Sequence, residues 1–206
     1  MLGKPVEELK LITMHIGAGA SITAVKNGKS FDTSMGFTPV AGITMATRSG
    51  DVDPSLIAFM QGKLNLSSDE MIDILNHKSG LLGISGISPD MRDILAAAEK
   101  GDDRAQLALD IYVNRIVRYI GAYIAEMGGA DAIVFTAGVG ENSVPVRKMI
   151  TDKLDYFGIK IDQEKNNCHG VERDLSADDA KIKTLLIPTN EELMIVRDIE
   201  RLKKNN

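Results

Sequence analysis

The sequence predicts a mixed α/β domain, and three observations carry that expectation. The chain opens on three segments of β character grouped around an Asn27-Gly28 pair. It holds one long amphipathic helical segment over 105–127. Two later apolar runs, after Asp131 and after Lys181, are separated by helical stretches. A meander followed by strands that connect through helices gives a sheet with both parallel and antiparallel pairs and helices packed against it.

The elements follow in order. "LKLITMHI", residues 9–16, is a largely apolar run, as a central strand requires. "ASITAVK" and "KSFDTSM" flank Asn27-Gly28, a hairpin signal because a type I′ turn needs positive φ at both central residues. Asp53-Pro54 offers an N-cap and a first-turn proline to the short amphipathic stretch "SLIAFMQGK". Ser67 and Glu70 make a capping box for the next helix, with Gly80 as its stop. Ser88-Pro89 is expected to start a helix as Asp53-Pro54 does. In the long helix Leu109, Tyr112, Ile116, Ile120, Tyr123, Ile124 and Met127 share one broad face, and Gly128 closes it. "DAIVFTAGVGENS" reads as a buried strand entering a glycine-rich loop and a capped helix. A helix around 145–157 leads to "FGIKID", a short strand, and "KIKTLLIP" is a last strand before a last helix. No repeat or low-complexity linker interrupts the chain, so one domain over 1–206 is expected.

Composition narrows the function classes. The 206 residues are 44% hydrophobic and 26% charged with a formal net charge of −5, totals that need no basic face and so point away from nucleic acid as a partner. Cys168 is the only cysteine, so there is no intramolecular disulfide and no cysteine-rich zinc site. A reducing, cytoplasmic setting is the expectation. No apolar run approaches the length of a membrane span, and "MLGKPVEELK" lacks the pattern of a signal peptide, so no membrane partner is expected.

Two glycine loops sit at strand ends, "HIGAGAS" and "TAGVGENS". Glycines there let backbone N–H groups approach an anion closely. Neither loop is a Walker A sequence, and neither has the dinucleotide-binding spacing. Each alone reads equally as a tight turn; two in one chain favour a phosphate-bearing ligand held between them. Arg48 lies in the polar loop "TRSGDVDP", where it is either a solvated surface residue or a clamp on phosphate oxygens. Asp51 and Asp53 lack calcium-loop spacing. Asp90 sits in a helix's first turn, where an acid suits the helix dipole without further function. Thr189 to Glu192 makes a capping box that explains Glu192 and leaves Glu191 spare, a carboxylate suited to holding Mg²⁺ through water. His15, at the end of a buried-looking strand, reads as a hydrogen-bonded structural residue. His77 and His169 read as surface positions, and Cys168-His169 lack partner ligands.

Taken together, "HIGAGASI", "NGKSFDTSMGFTP", "TRSGDVDP", "KSGLLGISGISPDMRD", "RAQLALDIY", "DAIVFTAGVGENS" and "IPTNEELMI" resemble, in order, the C-terminal half of the acetokinase family. The resemblance runs from about Glu8 to Arg197. It implies an RNase H-like domain of the sugar kinase/Hsp70/actin superfamily, with ATP or ADP in a cleft between two such domains, Mg²⁺, and transfer of a phosphoryl group between ATP and acetate. It also implies a homodimer. Propionate or butyrate as acceptor is the near alternative, and a non-catalytic nucleotide-binding module or a subunit completed by a separate chain is the alternative from another class. By the same resemblance His15, Gly17 and Gly19 match the phosphate-binding loop. Arg48 matches an arginine that binds the acyl substrate and the transferring phosphoryl group. Asp90, Met91 and Arg92 match the segment that contacts adenosine. Gly138, Val139, Gly140, Glu141 and Asn142 match the loop lining the adenine pocket, and Glu191 matches the carboxylate associated with Mg²⁺.

The sequence departs from the family pattern in two ways. The usual H-L-G-N-G loop carries Ile16 and Ala18 here, and Ala18 removes an amide side chain that would reach toward phosphate; Met91 stands where phenylalanine is common. The family's N-terminal domain has no counterpart in these residues. It supplies a second arginine, a histidine, an aspartate and an asparagine of the site and much of the acyl pocket. The expectation is therefore half of a kinase site, inactive or very weak until that half is supplied.

Overall fold

The computed structural model describes residues 1–204. Strands β1 (Lys10–Ile16), β2 (Ala20–Lys26) and β3 (Lys29–Thr33) form the expected antiparallel meander. Asn27 and Gly28 take φ of 56° and 72°, the left-handed pair that the type I′ turn demands. Strand β4 (Ala132–Thr136) pairs parallel to β1, opposite the hairpin. The two-residue β5 (Arg173–Asp174) and β6 (Lys183–Leu186) complete the order β3-β2-β1-β4-β6-β5, with β6 parallel to β4. The mixed sheet opening on a meander is thus as the sequence predicts.

Helices fill the connections. Between β3 and β4 lie α1 (Pro54–Leu64), α2 (Ser68–His77), α3 (Gly80–Ser85), α4 (Met91–Glu99) and α5 (Asp103–Met127). After β4 come α6 (Ala137–Asn142), α7 (Val144–Thr151), the single turn α8 (Gln163–Asn166) and, last, α9 (Glu191–Lys204). Asp53 caps α1 by accepting from Ser55 N at 2.8 Å, and the Ser67–Glu70 box caps α2 reciprocally.

Six local expectations shift. Gly80 does not end a helix: α2 stops at His77, and Gly80, at φ 61°, opens α3 against the loop at Met45 and Ala46. Ser88-Pro89 does not start one, because Asp90 takes the cap of α4 two residues later and Ser88 Oγ accepts from Asp90 N instead. The glycine-rich loop after β4 is itself helical from Ala137, whose φ is 64°. The helix predicted around 145–157 ends at Thr151 and resumes as one 3-10 turn, and "FGIKID" makes only isolated bridges, Ile159 with Ile182 and Ile161 with Ser176. Thr189 does not cap α9: its hydroxyl lies 2.6 Å from that of Thr136, and Asn190 Oδ1 receives Leu193 N.

The core lies between one sheet face and α5. Ile12, Met14 and Ile16 of β1 are fully buried there with Ile22 and Phe135, and all seven predicted face residues of α5 are buried. Burial of each large apolar side chain contributes about 1.5–3 kcal/mol relative to leaving it in water. The alternate β1 residues Leu11, Thr13 and His15 are only half-buried, and the opposite sheet face holds a small cluster of Ala132, Val134 and Leu185. Period-2 alternation places His15 on that thinner side, at the strand end beside the site described below.

The loop before α1 is tied to α5 by Asp51. Its Oδ1 accepts from Gly42 N at 2.8 Å, its Oδ2 from the Tyr119 hydroxyl at 2.6 Å, and its carbonyl from Arg115 Nη2 at 2.8 Å. Burial and the bond to Asp51 push the Tyr119 phenol up to about 12. The Asp51 pattern is therefore a structural latch. Among the described residues no helix is long and apolar enough to cross a membrane.

Candidate functional site

Both parallel strands β1 and β4 end at the same edge of the sheet, where ligands of open α/β sheets collect. The turn Gly17–Gly19 leaves β1 and α6 leaves β4, and two cavities meet between them. The first, about 640 Å³, is walled by His15, Gly19, Met35, Glu141, Thr189 and Glu191. The second, about 750 Å³, is walled mainly by Met91, Leu95, Tyr112, Val139, Pro145 and His169, with Asp90, Arg92, Asn142 and Ser143 among its polar residues. Gly17, Ala18 and Gly138 line both. The two glycine loops of the sequence thus share one wall, and the volume of the second cavity is that of a small-molecule site.

The β1 turn is stitched to the arginine loop. Gly17 N donates to Gly19 O at 3.1 Å, and Ala46 N donates to Ala18 O at 3.1 Å. Met45 N donates to Arg48 O at 3.1 Å and Leu81 N to Met45 O at 2.9 Å, so α3 and the turn together hold the backbone around Arg48. A Cβ added to Gly19 would lie 3.2 Å from Arg48 Nη1, which locates the guanidinium directly against the turn. Its hydrogen-bond partner there is Met45 Sδ at 3.9 Å, and no carboxylate pairs with it among the described residues. Those N–H donors are free for an anion.

On the β4 side the expected residues divide. Gly138, Val139 and Asn142 line the second cavity. Glu141 faces the first, where its Oε1 accepts from Ala137 N and Thr189 N, both at 2.8 Å, and so clamps the start of α6 to the segment before α9. Gly140 lines neither cavity; it packs beneath the turn on Phe135 and Ile16.

Beneath them lies Arg147, fully buried, which sequence reasoning missed. Its Nη1 donates to the carbonyls of Gly140 and Glu141 at 3.0 and 2.9 Å. Nη2 donates to those of Asn166 and Cys168, both at 2.8 Å, and Nε to Asn166 Oδ1 at 2.8 Å. All five acceptors are neutral, and burial lowers its pKa. An arginine in an amphipathic helix reads as solvent-facing from sequence, so nothing local signalled this role.

Asp90, Met91 and Arg92 sit together at the far side of the second cavity. Arg92 holds Asp90 through Nε at 3.0 and 3.2 Å, through Nη2 and through its backbone N–H, and these bonds bring the Asp90 carboxyl down to about 2. Met91 is nearly buried and shared between cavity and core. His169, read as a surface residue, lines this cavity too, with Nδ1 2.9 Å from Asn142 O. Tyr112, read as core, also faces it.

Among the described residues no group of three or more His, Cys, Asp or Glu could hold a metal ion alone. Glu191 is exposed on the first cavity and enters no ion pair among the described residues, whereas Glu141 is already engaged by backbone. One free carboxylate suits Mg²⁺, which keeps several waters and takes further ligands from phosphates.

The acetokinase family profile matches residues 1–197. The acetate kinase of Limosilactobacillus fermentum is 74% identical over 204 residues, 99% of this chain and 51% of that protein. The acetate kinase of Lactiplantibacillus plantarum is 63% identical over 206 residues, 100% of this chain and 51% of that protein. The crystal structure of Porphyromonas gingivalis acetate kinase superposes with a TM-score of 0.92 at 44% identity over 96% of this chain and 50% of that one. A propionate kinase from Francisella tularensis gives 0.85 at 44% identity over 90% of this chain and 47% of that one. The chain spans about half the length of the curated relatives it matches.

Proposed function

The chain belongs to the acetokinase family, and from that premise we propose that it forms the nucleotide-binding half of an acetate kinase. The observation that carries this reading is the wall shared by the two glycine turns, with an unpaired Arg48 guanidinium at one side and a small-molecule cavity at the other. In this reading the second cavity takes the nucleoside of ATP or ADP. Asp90, Met91 and Arg92 lie at one side of the base and Val139 and Asn142 at the other. The phosphates cross the shared wall at Gly17, Ala18 and Gly138 and end in the first cavity, near His15 and Gly19. Gly140 supports the turn from below, and Glu141 acts as its clamp.

The reaction breaks the bond between the γ-phosphorus of ATP and its bridging oxygen, leaving ADP. It forms a bond from that phosphorus to a carboxylate oxygen of acetate, giving acetyl phosphate. Charge in such a transfer spreads over the three equatorial phosphoryl oxygens, so donors already in place are the protein's main contribution. Arg48 supplies them on this wall. Mg²⁺, held through water at Glu191, would neutralise charge on the phosphate oxygens. Ala18 places a methyl group where both cavities meet, so backbone N–H groups are left to cradle the phosphates there.

One arginine on one wall does not enclose an in-line transfer between two substrates. The reading therefore includes a second domain opposite this one, the acceptor pocket within it, and a dimer and a cytoplasmic setting as in the family. Propionate is the alternative acceptor, favoured by the likeness to the Francisella tularensis propionate kinase. Acyl phosphate formed from ATP and acetate, trapped as a hydroxamate, tests the proposal. No turnover by residues 1–206 alone and turnover after addition of the N-terminal half of an acetate kinase are expected. Turnover at a full rate by this chain alone overturns the half-site reading, and none after completion overturns the phosphotransferase reading.

A further inference from the structure

By its motif Glu141 belongs with the residues of the second cavity, yet it lines the first, together with Gly138, Thr189 and Glu191. The side chain is half-buried, and one oxygen, Oε1, accepts from Ala137 N and from Thr189 N, both at 2.8 Å. The two donors lie on separate elements. Ala137 opens α6, and the first N–H groups of a helix have no partners within it. Its φ of 64° is one that a residue with a Cβ keeps only where its surroundings hold it. Thr189 lies two residues before Glu191, on the stretch that leads from β6 into α9.

The clamp is anchored on both sides. Arg147 Nη1 donates to the Glu141 carbonyl at 2.9 Å. Ile187 N donates to Phe135 O at 3.0 Å, and the hydroxyls of Thr136 and Thr189 meet at 2.6 Å, so the stretch before α9 runs along the end of β4. Asn190 Oδ1 then receives Leu193 N at 3.0 Å as α9 begins. Glu191 is exposed on the same cavity, and the bond from Thr189 N ties its backbone to the Gly138 turn. A hydrated Mg²⁺ with phosphate ligands has near-octahedral geometry and tolerates little error in the walls that hold it.

We infer that Glu141 is a positioning residue for the first cavity: it holds the Gly138 turn and Glu191 at the separation that a Mg²⁺–phosphate group spans, without binding the ion itself. This rests on the proposal that the phosphates end in the first cavity and that Mg²⁺ is held there at Glu191.

Glu141→Gln keeps an oxygen acceptor at the same reach, and Glu141→Ala removes it. ADP affinity of the 206-residue protein is measured by calorimetry with Mg²⁺ and with all divalent cations chelated. Amide hydrogen exchange at Thr189 is followed without ligand. The expected result is a Thr189 amide protected in the parent and in Glu141→Gln and exposed in Glu141→Ala. The gain in ADP affinity from Mg²⁺ should stay within about twofold of the parent in Glu141→Gln and fall about three- to tenfold in Glu141→Ala, over and above any fall without Mg²⁺. Should Glu141→Ala lose its cooperative melt, Glu141→Asp, one methylene too short to meet both N–H groups, replaces it in each comparison. Affinity lowered equally with and without Mg²⁺ marks a merely structural role and overturns the inference, leaving the nucleotide reading standing. A Thr189 amide as protected in Glu141→Ala as in the parent overturns it too. So does a Glu141→Gln protein that loses the gain as fully as Glu141→Ala, since Glu141 is then a ligand of the ion. A parent that binds ADP with no gain from Mg²⁺ overturns the Glu191 reading and the inference with it, and a folded parent that binds no ADP overturns the nucleotide reading as well.

Discussion

Replacing Arg147 by methionine should loosen the α6 turn from beneath. The methionine keeps an apolar stem of similar length and removes five hydrogen bonds, to Gly140, Glu141, Asn166 twice and Cys168. A hydrogen bond from a charged donor contributes about 1.5–3 kcal/mol, so the gross loss is about 7–15 kcal/mol. Against it stands the cost of burying a guanidinium with no counter-ion, several kcal/mol, which the substitution relieves. Water entering the vacated space satisfies part of the remainder. The net destabilisation expected is about 3–5 kcal/mol. Urea unfolding followed by circular dichroism measures it through the midpoint at constant slope. Arg147→Lys, with charge but a single donor group, should recover less than half of the loss, because it cannot reach acceptors on both the α6 and the Asn166–Cys168 sides. A methionine variant within about 1 kcal/mol of the parent would refute the reasoning, and the buried cation would then be no better than an apolar filler.

Gly80→Ala should cost more than about 2 kcal/mol, since a Cβ there meets Met45 O at 2.3 Å and Arg48 O at 2.8 Å and the residue sits at φ 61°; thermal melting reads it. Ala18→Asn adds an amide where both cavities meet and should raise ADP affinity several-fold, read by calorimetry. Folding lowers the Asp90 carboxyl to about 2, so its cap of α4 stabilises fully above the ordinary carboxylate range and weakens as pH falls from about 4 through about 2. Its carboxyl carbon shift, followed by NMR over that range, should show the low midpoint. Tyr119 is raised to about 12, so its bond to Asp51 stabilises fully below about 10 and is lost as pH climbs from there through about 12; Tyr119→Phe should remove that alkaline component of unfolding.

Local chemistry made much of the fold legible. Asn27-Gly28 set the first hairpin, Asp53 and the Ser67–Glu70 box set two helix starts, and the period of α5 gave its buried face residue by residue. The misses have tertiary causes. Gly80 looks like a stop, yet its positive φ lets α3 dock on the Met45–Ala46 backbone, far back along the chain in the loop before α1. Thr189 looks like a cap, but Thr136 and Glu141 claim its hydroxyl and its N–H from across the site. "FGIKID" has strand composition but forms isolated bridges, at Ile159 and Ile161, rather than a continuous ladder.

The candidate site shows the same division. Glycines, Arg48 and Asp90 lie in recognisable motifs; the glycines and Asp90 line the cavities at one edge of the sheet, and Arg48 lies against the Gly17–Gly19 turn. Arg147 occupies a position where an amphipathic helix already explains the residue, so its guanidinium gave no separate signal. Gly140 and Glu141 belong to a motif whose other members line the second cavity, and only the backbone path of α6 separates them.

The central claim is that the two glycine turns hold one nucleotide between them. Amide hydrogen exchange on the 206-residue protein, with and without ADP and Mg²⁺, tests it most directly. The account predicts slowed exchange at both Gly17–Gly19 and Gly138–Asn142, saturating together at one ADP per chain. Saturating ADP that leaves both turns unprotected would contradict it.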